Sequence, residues 1–275
     1  MKFNIKNLCG VITALTIATT TLVGCGNENI SNKVSTDGST SMEKVIGLLG
    51  EYYQELNPNV VFTYNPTGSG AGINSVKTGR ADIGLSSRYL SNAEQAEGLK
   101  GEILAYDGIA IIVNKNNKIN NLSLEEVAEI YTGKITNWKQ LGGEDLEIVL
   151  IGREAGSGTR DGFESITKTS LNCKYRQELT STGDVITTVS NNENAIGYAS
   201  VASVKNTVNI VSIDGVTPSE ETIKDGSYKI QRPYLLVTKN AVALSKTAQE
   251  FYDFILSKKA HKLILKAGAV PATSK

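Results

Sequence analysis

A chain of 275 residues is long enough for one large domain or two of ordinary size, and its 40% apolar and 20% charged residues are the balance of a soluble globular protein rather than a disordered or membrane-embedded one. Basic and acidic groups number 28 each. No global field therefore draws the chain to nucleic acid or to an anionic surface, and any affinity for anions has to be built locally.

The first residues read as an export signal. Lys2 and Lys6 form a positive segment, Val11 to Val23 is an apolar, Thr-rich run, and Leu22-Val-Gly-Cys25 places the small Gly24 before a cysteine, the pattern of a lipoprotein signal. The run is too short and too rich in Thr for a membrane span. Residues 1–24 are accordingly read as the signal peptide, Cys25 as the lipidated new N-terminus, and 25–33 as a polar, turn-rich tether. Cleavage removes two lysines and no acid, leaving 26 basic against 28 acidic groups. Cys9 leaves with the signal and Cys25 takes the lipid, so Cys173 stands alone, and no disulfide is expected in the mature chain. The mature protein is expected outside the cell, held on the outer face of the membrane by acyl chains.

After the tether, Ser39-Thr-Ser41 precedes a segment in which Met42, Val45, Ile46, Leu49, Tyr52, Tyr53 and Leu56 recur at helical spacing until Asn57-Pro58 ends it. The three hydroxyls stand at a helix start, as caps or as ligand donors. Val60 to Tyr64 is a strand, and the turn after it, Thr67-Gly-Ser-Gly70, offers Ser69 at the start of a second helix. Ala81 to Arg88 is a short strand ending in Ser86, Ser87 and Arg88. Ile103 to Val113 is nearly all apolar and runs through a core, with Asp107 as its one charge. A carboxylate inside such a run is costly unless paired or hydrogen-bonded. It is read either as an ion pair near a hinge or, preferably, as an acceptor facing a ligand.

Asn114 to Asn121 crosses into a second lobe. Leu124 to Tyr131 is a helix with the capping box Ser123 and Glu126, and Trp138 is a packing anchor. The strand Ile148-Val-Leu-Ile151 then leads into Arg153-Glu-Ala-Gly-Ser-Gly-Thr-Arg160 and a helix near Asp161. An Arg followed by Gly-Ser-Gly-Thr at a strand-to-helix turn suits a small oxyanion. The helix N-terminus offers unpaired N–H groups, Ser157 and Thr159 offer hydroxyls, Gly158 permits close approach, and Arg153 adds a planar fork of donors. Ser181 to Ser190 repeats the hydroxyl-rich helix start, Ala195 to Ala199 and Val208 to Ile213 are strands, Arg232 to Thr238 is a strand crossing back, and Thr247 to Lys266 is one amphipathic final helix. This alternation argues an α/β fold with mostly parallel sheets. Crossings near 113–116 and 235–238 would divide it into lobe 1 (34–113 plus 237–275) and lobe 2 (114–236).

Taken together, Asp37-Gly-Ser-Thr-Ser41, Thr67-Gly-Ser-Gly-Ala-Gly72, Ala81 to Arg88, Ile130 to Trp138, Arg153 to Arg160 and Ala195-Ile-Gly-Tyr198 resemble, in order, the phosphate-binding lipoprotein (PstS) family of bacterial phosphate ABC transporters. The resemblance spans the mature chain. It implies a type II periplasmic-binding-protein fold, two α/β lobes closing on inorganic phosphate, with delivery to membrane permease and ATPase subunits. It places the family's anion loops on Thr40 and Ser41, on Ser69, and on Arg153, Ser157, Gly158 and Thr159, with Ser39 and Ser87 beside them. The family's ligand-facing carboxylate falls on Ser87, and a second acid of its Arg loop on Ala155. Asp107 is therefore the candidate acceptor for the ligand's proton, and Asp107→Asn is expected to relax discrimination against sulfate. Arg88 either touches the anion, pairs with Asp107 or sits on the cleft rim.

An enzyme is the competing reading, and the residues argue against it. His261 is the one histidine and lies among lysines on the last helix. No Gly-x-Ser-x-Gly elbow, no Gly-x-x-x-x-Gly-Lys-Ser/Thr loop and no acid- or His-rich metal cluster occurs, so neither cofactor nor metal is expected. The same fold binding sulfate or molybdate, or sensing phosphate without transport, stays open at this stage, and the chain is expected to act as a monomer without nucleic acid.

Overall fold

Lobe 1 begins with strand β1 (Lys33–Gly38) in the computed structural model, which describes residues 32–272. The signal peptide, the lipidation of Cys25 and most of the tether lie outside the described residues, and Lys33, assigned to the tether, already belongs to β1. There follow α1 (Glu43–Leu56), β2 (Val61–Asn65), α2 (Ser69–Lys77), β3 (Ile83–Ser86), α3 (Asn92–Ala96) and the long β4 (Leu99–Asn114). Val45, Ile46, Leu49 and Tyr53 form the buried face of α1, at the spacing that put them on one side of a helix.

Lobe 2 contributes β5 (Asn121–Leu122), α4 (Leu124–Tyr131), β6 (Val149–Arg153), α5 (Gly158–Thr167), β7 (Gln177–Leu179), α6 (Thr182–Ser190), β8 (Ala195–Ser200), β9 (Val208–Ile213) and α7 (Glu220–Lys224). The chain returns through β10 (Gln231–Lys239), α8 (Lys246–Leu256), α9 (Lys258–Ala267) and β11 (Val270–Pro271). Ser123 and Glu126 form the expected capping box on α4, and Trp138 is buried with its indole N–H donating to the Asn194 carbonyl at 3.1 Å. The final helix is broken: Ser257 takes an extended conformation and its hydroxyl donates to the Phe254 carbonyl, a local bond that competes with the helical ladder.

The strands order as β2-β1-β3-β10-β4-β8-β6-β7. Pairing is mixed rather than mostly parallel. β1 runs parallel to β2 and β3, and β6 parallel to β7 and β8, but β4 and β10 run antiparallel to their neighbours. The reason is the path of the chain. β4 carries it out of lobe 1 and β10 brings it back beside β4, so the two must point in opposite directions. β4 changes partners along its length: Leu99 to Gly108 pair with β10, and Ile109 to Asn114 pair with β8 and β9. The change of partner falls after Gly108 of β4, opposite Gln231 of β10.

Each lobe has its own core. In lobe 1, Phe251 of α8 lies edge-on to Tyr53, centroids 5.1 Å apart, and tilted against Phe62. In lobe 2, Phe163 of α5 stacks on Tyr198 of β8 at 4.2 Å and meets Tyr131 at 4.6 Å. Such pairs stabilise by about 0.5–1.5 kcal/mol beyond the area they bury. The second set also has a positional role, since it fastens α5, and with it the Arg153 turn, to the central sheet. Cys173 is half-buried and its thiol donates to Thr169 Oγ1 at 3.2 Å.

Candidate functional site

Three turns of lobe 1 meet at the carboxyl ends of β1, β2 and β3. The backbone ties them together: Ser39 N–H donates to the Leu85 carbonyl and Gly68 N–H to the Gly38 carbonyl, each at 2.9 Å. Gly38 has φ +141°, and a Cβ there would lie 2.1 Å from the Leu85 oxygen, so this junction requires glycine. The result is a buried cluster of hydroxyls. Ser39 Oγ lies 2.8 Å from Ser41 Oγ and donates to Ser87 Oγ at 2.9 Å, while Ser69 Oγ is 3.2 Å from Ser87 Oγ and accepts from the Ser87 N–H at 3.1 Å. Ser39 occupies the N-cap of a short 3-10 turn, Thr40–Met42, yet its hydroxyl makes no cap bond. Its role as a helix cap is therefore not what this geometry shows.

Lobe 2 presents the β6–α5 turn to this cluster. Ser157 caps α5, its Oγ accepting from the Arg160 N–H at 3.4 Å. Gly158 and Thr159 form the first helical positions, both buried. Gly158 faces lobe 1 so closely that an added Cβ would lie 2.4 Å from Ser69 Oγ and 2.6 Å from Ser87 Oγ. The lobes also touch through Gly70 N–H on the Gly156 carbonyl at 2.9 Å and through Thr40 Oγ1, 3.2 Å from Thr182 Oγ1. The lobes are closed on one another here.

Arg153 is buried at the end of β6. Its Nε and Nη2 donate to the two oxygens of Glu154 at 2.9 and 2.8 Å, the same nitrogens reach the Leu179 and Thr180 carbonyls, and Nη1 donates to Thr182 Oγ1 at 3.1 Å. The backbone N–H of Arg153 donates to the Tyr198 hydroxyl at 3.1 Å. With Ala155 where the resemblance puts a second acid, the acid that meets this arginine is Glu154.

The guanidinium that joins the lobes is one the sequence reading passed over. Arg232 of β10 lies directly across from Asp107 of β4 in the strand register. Its Nε and Nη2 donate to Asp107 Oδ2 at 3.3 and 3.1 Å, and its Nη1 donates to Ser87 Oγ of lobe 1 at 3.0 Å and to Thr159 Oγ1 of lobe 2 at 2.7 Å. Asp107 Oδ1 accepts from Ser200 Oγ at 2.9 Å. Tyr234 closes the back of the group, bonding to Ser200 and donating to the Ser41 carbonyl, each at 2.8 Å. Burial pushes the Asp107 carboxyl above the usual carboxylate range, against the pull of Arg232 and Ser200. The expectation that Asp107 faces the ligand as proton acceptor does not fit this arrangement, because Arg232 stands between it and the hydroxyls. A lone acid in one apolar crossing strand and a lone arginine heading the other was the signal that would have found the pair.

Arg88 does not pair with Asp107. It lies on the rim, four-fifths buried, with Nη1 and Nη2 on Glu94 at 2.9 and 2.8 Å and Nε 2.9 Å from Asp161 of α5. The hydrogen bond from Arg88 holds the Glu94 carboxyl down at about 2, with bonds from Ser91 adding to it. A lowered carboxyl stabilises the fold above its unfolded value of about 4.3, and that contribution disappears as pH falls through the folded value. Glu94→Gln is therefore expected to be less stable than the parent above pH 5, by about 1 kcal/mol or less after solvent screening, with the gap closing in chemical denaturation carried to about pH 2. A constant gap would reject the assignment.

Among the described residues no group of His, Cys, Asp or Glu is placed to hold a metal ion. What converges is instead a set of hydroxyls, helix-start N–H groups and two guanidiniums whose charges are matched by Asp107 and Glu154. Such a set binds a small oxyanion and has no nucleophile–base pair.

Comparison with known proteins agrees with this chemistry. A family model described as a PBP superfamily domain matches residues 23–259. The phosphate-binding protein PstS of Borreliella burgdorferi is 32% identical over 94% of this chain and 96% of its own length. A crystal structure described as a phosphate ABC transporter substrate-binding protein of Clostridium perfringens, with phosphate bound, is 39% identical and superposes with a TM-score of 0.82 over 88% of this chain and 100% of that one. A receptor described as an ABC-type phosphate transport receptor from Vibrio cholerae is 35% identical, with a TM-score of 0.72 over 87% of this chain and 100% of that one.

Proposed function

We propose that this chain, which belongs to the PstS family of phosphate-binding proteins within the PBP superfamily, captures inorganic phosphate between its two lobes and delivers it to the permease and ATPase subunits of an ABC importer. It is a solute-binding protein and not an enzyme. The observation that carries the ligand assignment is the reach of one guanidinium to both lobes: Arg232 Nη1 donates to Ser87 and to Thr159. A tetrahedral anion at that point would take bonds from Ser39, Ser41, Ser69, Ser87, Thr159 and Arg232, with Thr40 and Arg153 closing the side toward Thr182. Closure excludes water, and bonds from buried charged donors are worth roughly twice those between neutral groups. Ser157 and Gly158 contribute the start of α5, whose N–H groups and dipole favour negative charge.

Asp107 acts in this reading by holding Arg232, and Glu154 by holding Arg153. The buried Asp107 and the half-buried Glu154 beside the site are thus both turned to arginines, an observation that keeps sulfate and molybdate as a second reading. The protein is extracytoplasmic and membrane-associated, as its family requires, and we take Cys25 to carry the lipid that anchors it. Sensing phosphate without transport is the alternative at the level of the membrane partner.

Isothermal titration calorimetry of the chain lacking residues 1–25, against phosphate, arsenate, sulfate and molybdate, tests the reading. A saturable phosphate isotherm is expected. A flat phosphate trace beside a saturable sulfate or molybdate trace would move the assignment to that anion.

A further inference from the structure

Beside the binding cleft, an ion-paired cluster joins the two lobes without belonging to the anion site. Arg88 leaves β3 immediately after Ser87, and Glu94 lies in the first turn of α3, both in lobe 1. Asp161 lies in the first turn of α5, two residues beyond Thr159, in lobe 2. The Arg88 guanidinium is fixed on its own lobe. Nη1 and Nη2 bind both oxygens of Glu94 at 2.9 and 2.8 Å, and Nη1 also donates to the Tyr89 carbonyl at 2.9 Å. Glu94 is fixed in turn, because its Oε2 accepts from the Ser91 N–H at 2.8 Å and from the Ser91 hydroxyl at 3.0 Å. One edge of the guanidinium remains, and it points across the cleft: Nε lies 2.9 Å from Asp161 Oδ2.

We propose that Arg88, Glu94 and Asp161 form a latch that holds the closed cleft and so sets how long the bound anion stays. The inference rests on reading the chain as a two-lobed binding protein. Three features separate the latch from an ordinary surface pair. Its charges come from different lobes, so opening the cleft must break it. Its arginine is held by a bidentate carboxylate before the second acid arrives, so little side-chain freedom is lost on closing. It is also partly shielded, with Arg88 20% and Asp161 43% exposed. The latch adds nothing to the meeting of anion and open cleft, because it forms only as the lobes close. Its effect therefore belongs to release.

The other charges around Asp161 do not substitute for Arg88. Arg160, its neighbour on α5, is turned to Glu164 and Glu178 at 2.8 and 2.9 Å. With Arg88 removed, Asp161 keeps no ion pair across the cleft. These are positioning residues, since none of the three bonds to the hydroxyl cluster.

The test is stopped-flow release of phosphate from the purified protein carrying Arg88→Gln, Asp161→Asn or both, at low and high salt. Release is expected to accelerate about three- to fivefold in each single variant, the upper end of what an exposed pair supplies. The double variant should match the singles, the association rate should rise only as far as the unliganded cleft opens, and the parent's acceleration by salt should be absent from the variants. Asp161→Glu should restore slow release. Small-angle scattering without added anion gives a reading independent of the ligand, with the Asp161→Asn protein expected to have the larger radius of gyration. Parental release rates and salt response in Asp161→Asn, or a double variant whose effect is the product of the singles, overturn the latch. Absence of phosphate binding in the parent would instead overturn the proposed ligand, and the scattering comparison alone would then decide the latch: equal radii reject it.

Discussion

Arg232→Gln is expected to reduce phosphate affinity by roughly 100- to 1,000-fold, the loss that follows removal of a buried, hydrogen-bonded charge from a binding site. The same change should lower the stability of the fold itself. In the parent, Nε and Nη2 of Arg232 lie on Asp107 Oδ2, and both side chains are buried. Removing the cation leaves a buried carboxylate with only Ser200 and its surroundings to satisfy it, and breaking such a pair from one side costs about 3–5 kcal/mol at neutral pH. The pH dependence identifies the cause. Burial already raises the Asp107 carboxyl in the parent, and without Arg232 the opposing pull is gone. A carboxyl raised in the folded state stabilises below its unfolded value and loses that contribution as pH rises. The variant should therefore approach the parent's stability in acid and fall away from it toward neutrality, in chemical denaturation followed by circular dichroism. Asp107→Asn is the informative partner, because it strands the cation instead. Added phosphate should raise the melting temperature of Asp107→Asn more than that of the parent, since the anion then compensates a charge nothing else does. If Arg232→Gln binds phosphate as the parent does, the placement of the anion at Ser87 and Thr159 is wrong.

The hydroxyl turns and the Arg153 turn were readable because each is local. Ser39 to Ser41, Ser69 and Ser157 to Thr159 stand at helix starts marked by glycine, by apolar periodicity and by a preceding strand, and the structure brings all of them to one cleft. Arg232 was hidden because its meaning depends on register. Only the pairing of β10 with β4 sets it opposite Asp107, and strand pairing between segments more than a hundred residues apart leaves no local trace. The direction of β10 was concealed for the same reason, which is why the sheet is mixed where alternation alone suggested parallel strands. Ser257 was misread on different grounds. The apolar spacing through Phe251, Ile255 and Leu263 continues across it as though the helix were whole, while its hydroxyl prefers a local carbonyl. Glu154 and Arg88 show the limit of family resemblance: the acid beside Arg153 is Glu154, one position before the Ala155 on which the resemblance put it, and Arg88 faces Glu94 and Asp161 rather than Asp107.

Gly158→Ala should separate the two lobes' stability from their closure. A Cβ at this position meets no atom of its own lobe among its nearest neighbours; it meets Ser69 Oγ at 2.4 Å, Ser87 Oγ at 2.6 Å and Ser69 Cβ at 3.0 Å, all across the cleft. The serine hydroxyls could rotate aside, but doing so withdraws the donors that the anion needs, and Ser69 Cβ cannot rotate away. Within lobe 2 the change is benign, since alanine replaces glycine in the first turn of a helix and favours it by up to about 1 kcal/mol. Overpacking of a closed contact costs about 1–3 kcal/mol, so phosphate affinity should fall roughly 5- to 150-fold while the melting temperature without phosphate holds or rises. Calorimetry and thermal unfolding of one preparation supply both readings, and scattering should show a smaller contraction on adding phosphate than in the parent. A variant that both binds and contracts like the parent would mean that Gly158 does not meet Ser69 and Ser87 in the bound state, and that the closed contact described here is not the one that holds the anion. Loss of affinity together with a collapse in melting temperature would place the contact inside a permanently packed core instead of a cleft that opens and shuts.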